Sequence, residues 1–203
     1  MTRLGTALGV GENVIIEDAE RFRSIAKDGT CSWIASREWF IDWLENKTDK
    51  PHLLWISGPP AAGKSVLASY IVDTVRERWG DGTCQYHTFG FEDKTKRSAS
   101  YLFRSLAYQA ARHSSSLSTE LLAMSNQFGV PFSSMSATMI WEKIFRGPIF
   151  DLTRIKTLYW VVDGLDESES EAISLLFQCL KTLDQNLRIK ILLISRPTHD
   201  ISM

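Results

Sequence analysis

Residues 53–67 read LLWISGPPAAGKSVL, and this stretch decides the fold. A short apolar run, typical of a buried strand, leads into the pattern G-x-x-x-x-G-K-S and then into apolar residues at helical spacing. Gly58 and Gly63 permit a tight turn in which backbone N–H groups converge on phosphate oxygens. The pattern is therefore that of a phosphate-binding loop between a strand and a helix, and it predicts a nucleoside triphosphate site.

The same loop supplies two side chains for phosphate chemistry. Lys64 places an ammonium against the β- and γ-phosphates, and the Ser65 hydroxyl is a ligand for Mg²⁺. The helix that begins here points the positive end of its dipole at the same anion. A glycine-rich turn that only caps a helix is the alternative interpretation. We assign nucleotide binding to Gly58, Pro59, Pro60, Ala61, Ala62, Gly63, Lys64, Ser65 and Val66.

A second motif closes the apolar run LYWVV at residues 158–162, which ends in Asp163. A carboxylate at the end of a buried strand is what a P-loop protein uses on the magnesium side of its nucleotide. Mg²⁺ keeps several water ligands and is held by few protein carboxylates together with the phosphates. Asp163 and Ser65 are therefore the predicted metal-side residues, and a carboxylate that merely starts a turn is the alternative.

Three further residues are candidates for hydrolysis. Gly164 stands where many ATPases carry a catalytic Glu, so another carboxylate must orient the attacking water. Asp166 is the first choice and Glu167 the second, and an acidic helix N-terminus without a catalytic role is the alternative. Arg196 precedes a proline, which keeps it extended at the carboxyl end of a strand, where it can sense the γ-phosphate. A surface arginine is the alternative for that position.

Composition limits the classes of function. The chain has 203 residues, 44% hydrophobic and 23% charged, which is enough for one sizeable core. Its net charge of -1 indicates no surface for nucleic acid or anionic membrane, and no apolar run is long enough to span a bilayer. No secretory signal is visible, and three widely spaced cysteines favour reduced thiols. We expect a cytoplasmic location, with no nucleic-acid and no membrane partner.

Hydrophobic patterning predicts an α/β domain. Continuous apolar runs at 157–162 and 189–194 are typical of strands buried on both faces, which favours a parallel sheet with helical crossovers. We expect a flexible N-terminal arm over residues 1–16 and one domain over 17–203. Within it we predict helices near 17–26, 30–44, 67–79, 101–110, 121–128, 139–145 and 173–183, strands at 53–57 and 84–91, a charged loop at 92–98, and a helix-end turn at 46–49.

These motifs together resemble the NACHT domain of the STAND class of signalling NTPases. The resemblance rests on GPPAAGKS, on DGLDE at 163–167 and on ISRP at 194–197. The segment DGTCSWI at 28–34, and FRSL at 103–106 followed by Gln109, resemble the fungal branch of the NOD-like receptors (NLR). The resemblance implies a three-layer P-loop NTPase with N-terminal helices and a mainly parallel sheet of the additional-strand order 5-1-4-3-2. The strand that leads to Arg196 would then lie between the strands of the two motifs.

The resemblance also implies a function. Such proteins are switches of innate immunity or incompatibility, closed with ADP and oligomeric with ATP, in which slow hydrolysis acts as a timer. The expected cofactors are ATP or ADP with Mg²⁺, with GTP still open, and the expected partners are further copies or other signalling proteins. The base is expected near Gly29 to Trp33, and the family's lid, winged helix and repeats are expected to be absent from residues 1–203. A nucleotide-binding scaffold without turnover and a P-loop phosphotransferase or ATPase enzyme are the alternatives.

Overall fold

The computed structural model describes residues 2–11, 29–45, 51–90 and 94–197. The predicted helix at 17–26 and the turn at 46–49 lie outside these ranges. The helices are α1 (Thr2–Leu8), α2 (Glu38–Leu44), α3 (Lys64–Trp79), α4 (Ala99–Arg112), α5 (Ser115–Gln127), α6 (Ala137–Ile140), α7 (Phe150–Thr153) and α8 (Ser170–Lys181), with a wider helical segment, Trp141–Ile149, between α6 and α7. The strands are β1 (His52–Ser57), β2 (Cys84–Thr88), β3 (Leu158–Asp163) and β4 (Ile189–Ser195).

The four strands form a parallel sheet in the order β1-β4-β3-β2. The predicted parallel sheet is confirmed, and β4 lies between β1 and β3 as expected. Because all four strands run the same way, their carboxyl ends, which carry the predicted site residues, meet at one edge of the sheet. The described residues contain no fifth strand.

Helices cover both faces of the sheet, because the central strands are apolar on both sides. In β3, Leu158, Trp160 and Val162 pack into the core with α1, α4, α5 and α8, whereas Tyr159 and Val161 pack into a second core with α2 and α3. The result is a three-layer α/β/α arrangement. No helix in the described ranges is long and apolar enough to cross a membrane.

One side chain of α4 forms hydrogen bonds with the backbone of β2 at the outer edge of the sheet. The Tyr86 backbone N–H donates to Gln109 Oε1 at 2.9 Å, and Gln109 Nε2 donates to the Tyr86 carbonyl at 2.6 Å. Gln109 thus makes the two hydrogen bonds that a neighbouring strand would otherwise make, which protects an edge that would offer unpaired backbone groups. This contact also fixes α4 against β2, beside the site described below.

The prediction of a flexible N-terminal arm is wrong for residues 2–10. Residues 2–8 form α1, in which Leu4 and Leu8 are buried in the larger core. Arg104 of α4 holds the end of this helix: its Nη1 donates to the carbonyls of Leu8 at 2.7 Å and Gly9 at 3.0 Å. The i, i+4 spacing of the two leucines is the sequence pattern that indicates this helix. A helix of two turns has little intrinsic stability, however, and depends on these tertiary contacts.

Candidate functional site

The phosphate loop, residues 58–63, connects the end of β1 to the start of α3. Gly58 N–H donates to the Ser195 carbonyl at 3.2 Å, so the start of the loop is tied to the end of β4. Gly63 has φ 78 and Ala61 has φ 59, both in the left-handed region. The first N–H groups of a helix have no partner within the helix, so those that follow Gly63 suit an anion. All nine predicted nucleotide-binding residues lie in this loop or in the first turn of α3.

Lys64 folds back over the loop. Its Nζ donates to the carbonyls of Gly58 at 2.9 Å and Pro59 at 2.8 Å. The side chain is half-buried, whereas the loop from Pro59 to Gly63 is exposed. The ammonium is therefore held at the rim of an open loop, within reach of solvent and of an anion that occupies the loop.

Asp163 lies at the end of β3, with only 1% of its surface exposed. Its Oδ2 has no hydrogen-bond partner among the described residues. Burial raises the pKa of Asp163 to about 6, and this effect outweighs the opposing effects of hydrogen bonding by the Ser65 side chain and the Gly164 backbone and of the Lys64 charge. The two predicted metal-side residues thus meet, and one buried carboxylate oxygen there lacks a partner.

Gly164 begins the acidic turn, residues 164–167, and it must be a glycine here. Its φ is 71, and an added Cβ would lie 2.6 Å from the Phe89 carbonyl oxygen. The Phe89 N–H in turn donates to the Asp163 carbonyl at 2.9 Å, so the turn packs directly against the end of β2. Packing against β2, together with the left-handed conformation, explains why no larger residue follows Asp163.

The acidic turn places Asp166 and Glu167 beside Arg196. Asp166 Oδ1 accepts from the Arg196 backbone N–H at 2.8 Å, and Asp166 Oδ2 lies 3.3 Å from Arg196 Nε. Glu167 Oε1 is 3.6 Å from Arg196 Nη2. The Asp166 side chain is 7% exposed, Glu167 25% and Arg196 44%. The three predicted hydrolytic residues therefore come together, with both oxygens of Asp166 already paired to Arg196.

One residue of this site was missed from the sequence. We interpreted the charged loop at 92–98 as a solvated loop, but Arg97 Nε donates to the Glu167 carbonyl at 3.1 Å, and the Glu169 N–H donates to the Arg97 carbonyl at 3.0 Å. These partners are about 70 residues apart in the chain, and no local pattern marks such a contact.

The segment that we expected near the base lies beside α3. Ile34 is buried in the core that also contains Leu67 and Ala68 of the first two turns of α3. Trp33 is 51% exposed, and the Arg37 guanidinium lies 5.7 Å from its ring centroid. Phe40 of α2, by contrast, is buried in the same core as Ile34.

Comparisons with known proteins find one family and one relative that are similar to this chain. The family model described as nephrocystin 3, N-terminal, matches residues 29–196, which include the phosphate loop, the acidic turn and Arg196. The vegetative incompatibility protein HET-E-1 of Podospora anserina is 25% identical over 178 residues, which are 87% of this chain. The match covers 13% of that much longer protein.

Proposed function

The chain belongs to the nephrocystin 3 N-terminal family, and on this premise we propose that it is a Mg²⁺-dependent nucleotide-binding switch domain with slow hydrolysis. The observation that carries the proposal is the buried Asp163, which stands beside Ser65 at the mouth of the phosphate loop and whose Oδ2 has no hydrogen-bond partner among the described residues. Burying a carboxylate without a full set of partners is unfavourable unless something else binds it. A cation with the phosphates of a nucleotide would satisfy this requirement.

In this proposal the phosphate loop holds the anion and Lys64 neutralises it. The Nζ bonds to the two loop carbonyls keep the ammonium at the rim of the loop before the ligand arrives. Ser65 and Asp163 would hold Mg²⁺, which would supply positive charge to the phosphates of the nucleotide. We propose ATP and ADP as the natural ligands, with GTP as the competing choice, and we assign the base to the surface near Trp33.

For hydrolysis, the contacts favour Glu167 over our first choice, Asp166. A group that orients or deprotonates water needs a free lone pair within hydrogen-bond reach, whereas both oxygens of Asp166 face Arg196. Glu167 is more exposed, and its charge raises the pKa of Asp163. We propose that Glu167 orients the attacking water. The oxygen of this water attacks the γ-phosphorus as the bond from the γ-phosphorus to the β,γ-bridging oxygen breaks. The proton of the water passes through Glu167 to the released phosphate.

A passive scaffold is the second candidate, and the site geometry argues against it. Such a scaffold would be favoured if Asp166 and Glu167 pointed to solvent, but both are mainly buried and are paired to Arg196. The resemblance to NACHT domains and the match to a fungal incompatibility protein support a signalling role, exercised through self-association or through other signalling proteins. The same resemblance predicts a fifth strand, which would pair with β1 on the side opposite β4.

Calorimetric titration with ATP, ADP, GTP and GDP, with and without Mg²⁺, tests this proposal. We expect adenine nucleotides to bind, and Lys64→Ala to weaken binding by roughly 10- to 100-fold, because a charge-assisted bond to phosphate is lost. Lys181→Ala is the matched control, since Lys181 is an exposed lysine in the last turn of α8. Wild-type affinity in Lys64→Ala, or no binding of any nucleotide by the wild type, would contradict the proposal.

A further inference from the structure

We propose that Arg97 is a positioning residue of the hydrolytic site, which fixes the place of the Glu167 carboxylate by holding its backbone. This inference rests on the proposed function above and deepens it. The Arg97 guanidinium bonds the backbone of Glu167, so its effect on hydrolysis would pass through the placement of Glu167.

Two hydrogen bonds join Arg97 to the acidic turn and the residues after it. The guanidinium Nε donates to the Glu167 carbonyl at 3.1 Å, and the Arg97 carbonyl accepts from the Glu169 N–H at 3.0 Å. One bond uses the side chain of Arg97 and the other its backbone, so both the position and the orientation of this segment are set. Hydrogen bonds to a charged group are stronger than those between neutral groups.

The acidic turn is thereby held from two sides. On the β4 side, Arg196 pairs with both oxygens of Asp166 and more distantly with Glu167 Oε1. On the β2 side, Arg97 holds the backbone at Glu167. Asp166 anchors the turn to the end of β4 through both of its oxygens, whereas Glu167 is less buried and its carboxylate makes only the longer contact with Arg196.

Arg97 can act as a fixed point because its own turn is anchored. His87 of β2 contacts the Lys96 carbonyl through Nε2 at 3.1 Å, and its ring lies edge-on to Phe89 with centroids 4.7 Å apart. Burial lowers the pKa of His87 to about 4, so the ring is neutral near pH 7 and its Nε2–H donates to that carbonyl. Ser98, the next residue after Arg97, caps α4 by accepting from the Tyr101 N–H at 3.2 Å.

The chemical consequence follows from the sensitivity of catalysis to placement. A displacement of about 1 Å in a catalytic group lowers a rate by roughly 100-fold. Loss of the Arg97 bond releases the backbone that carries Glu167, without removing any group that binds nucleotide. Arg97 variants should therefore lose turnover while they keep nucleotide affinity, whereas a merely structural role would lower stability and affinity together.

The experiment compares Arg97→Ala and Arg97→Lys with Glu167→Gln, alone and combined, by single-turnover hydrolysis, calorimetry with ATP and thermal unfolding. Arg154→Lys is the control, since Arg154 pairs with Asp151 on an exposed surface. We expect Arg97→Ala to slow hydrolysis by roughly 10- to 100-fold, with the Kd for ATP changed less than about threefold. Arg97→Lys should recover part of the rate, because its ammonium can still donate to the Glu167 carbonyl.

The double variant gives the decisive result. If Arg97 acts through Glu167, Arg97→Ala should slow the Glu167→Gln protein no further, since the group that it positions is already inactive. Independent, multiplying losses would overturn the inference, and so would a parallel loss of ATP affinity in Arg97→Lys, the milder variant. If the wild type hydrolyses ATP and both Arg97 variants hydrolyse it at the same rate, the inference about Arg97 is overturned, whereas the proposed function stands. A wild type that neither binds nor hydrolyses ATP would overturn the proposed function as well.

Discussion

The phosphate loop and the acidic turn stand at the same edge of the sheet but are built in opposite ways. The loop is mostly exposed and, apart from the Gly58 bond to the Ser195 carbonyl, is held by contacts within a few residues, such as Lys64 Nζ to the Gly58 carbonyl. The turn is mostly buried and is held by distant residues, including Phe89, Arg97 and Arg196. A change in the loop should therefore have local effects, whereas a change in the turn should affect the fold.

Gly164→Ala should show the largest effect and tests the buried turn. The new side chain would adopt a left-handed φ, which disfavours it by about 1–2 kcal/mol, and its Cβ would meet the Phe89 carbonyl at 2.6 Å. Overpacking of this kind costs a further 1–3 kcal/mol or so. We expect the free energy of unfolding to fall by about 2–5 kcal/mol in urea titrations. A loss below about 1 kcal/mol would show that the turn is not tightly packed against β2.

Asp163→Asn should change stability in the opposite direction. The wild-type carboxyl has its pKa raised from 3.8 to about 6 by burial, so the folded protein binds this proton more tightly than the unfolded chain does. Stability therefore falls as pH rises from about 4 to 6 and stays lower above that. An amide has no charge to bury, so we expect Asp163→Asn to be more stable at pH 8 by up to about 3 kcal/mol without ligand.

The measurement is the free energy of unfolding of both proteins between pH 4 and 8. His87, whose pKa is lowered to about 4, contributes a slope of the opposite sign, so the difference between the two proteins isolates Asp163. The additional stabilisation that Mg²⁺ gives to the wild type in the presence of ATP should disappear in Asp163→Asn. A variant that is less stable than the wild type at pH 8 would show that Asp163 is well solvated or paired.

Gly63→Ala is the matched test in the phosphate loop. Gly63 has φ 78, close to the value of 71 at Gly164, but no atom lies within 4 Å of the added Cβ. Only the backbone conformation opposes the change, so we expect a loss of about 1–2 kcal/mol in the same urea titrations. A loss as large as that of Gly164→Ala would contradict the contrast between an open loop and a packed turn.

The same contrast explains what the sequence could predict. The phosphate loop from Gly58 to Val66 is a local pattern, and the apolar runs that end at Asp163 and Ser195 are local as well, so β1, β3 and β4 were placed correctly; β2 was predicted to 91 and ends at Thr88. The pairing of Asp166 with Arg196 and the bond from Arg97 to Glu167 depend on residues 30 and 70 positions apart. No local pattern shows which of the two carboxylates, Asp166 or Glu167, the fold buries more deeply, and α1 could not be predicted because its stability comes from Arg104 and the core.

Ala61→Gly should have the smallest effect, and its sign is informative. Ala61 has φ 59, a conformation that costs a residue with a Cβ about 1–2 kcal/mol and a glycine almost nothing. Glycine also gains entropy in the unfolded chain, which removes roughly 0.5–1 kcal/mol of that advantage. We expect Ala61→Gly to be as stable as the wild type or up to about 1 kcal/mol more stable.

Its neighbour Ala62 lacks a positive φ, so Ala62→Gly should lose about 0.5–1 kcal/mol. Equal losses at both positions in urea titrations would contradict the backbone strain that we assign to Ala61.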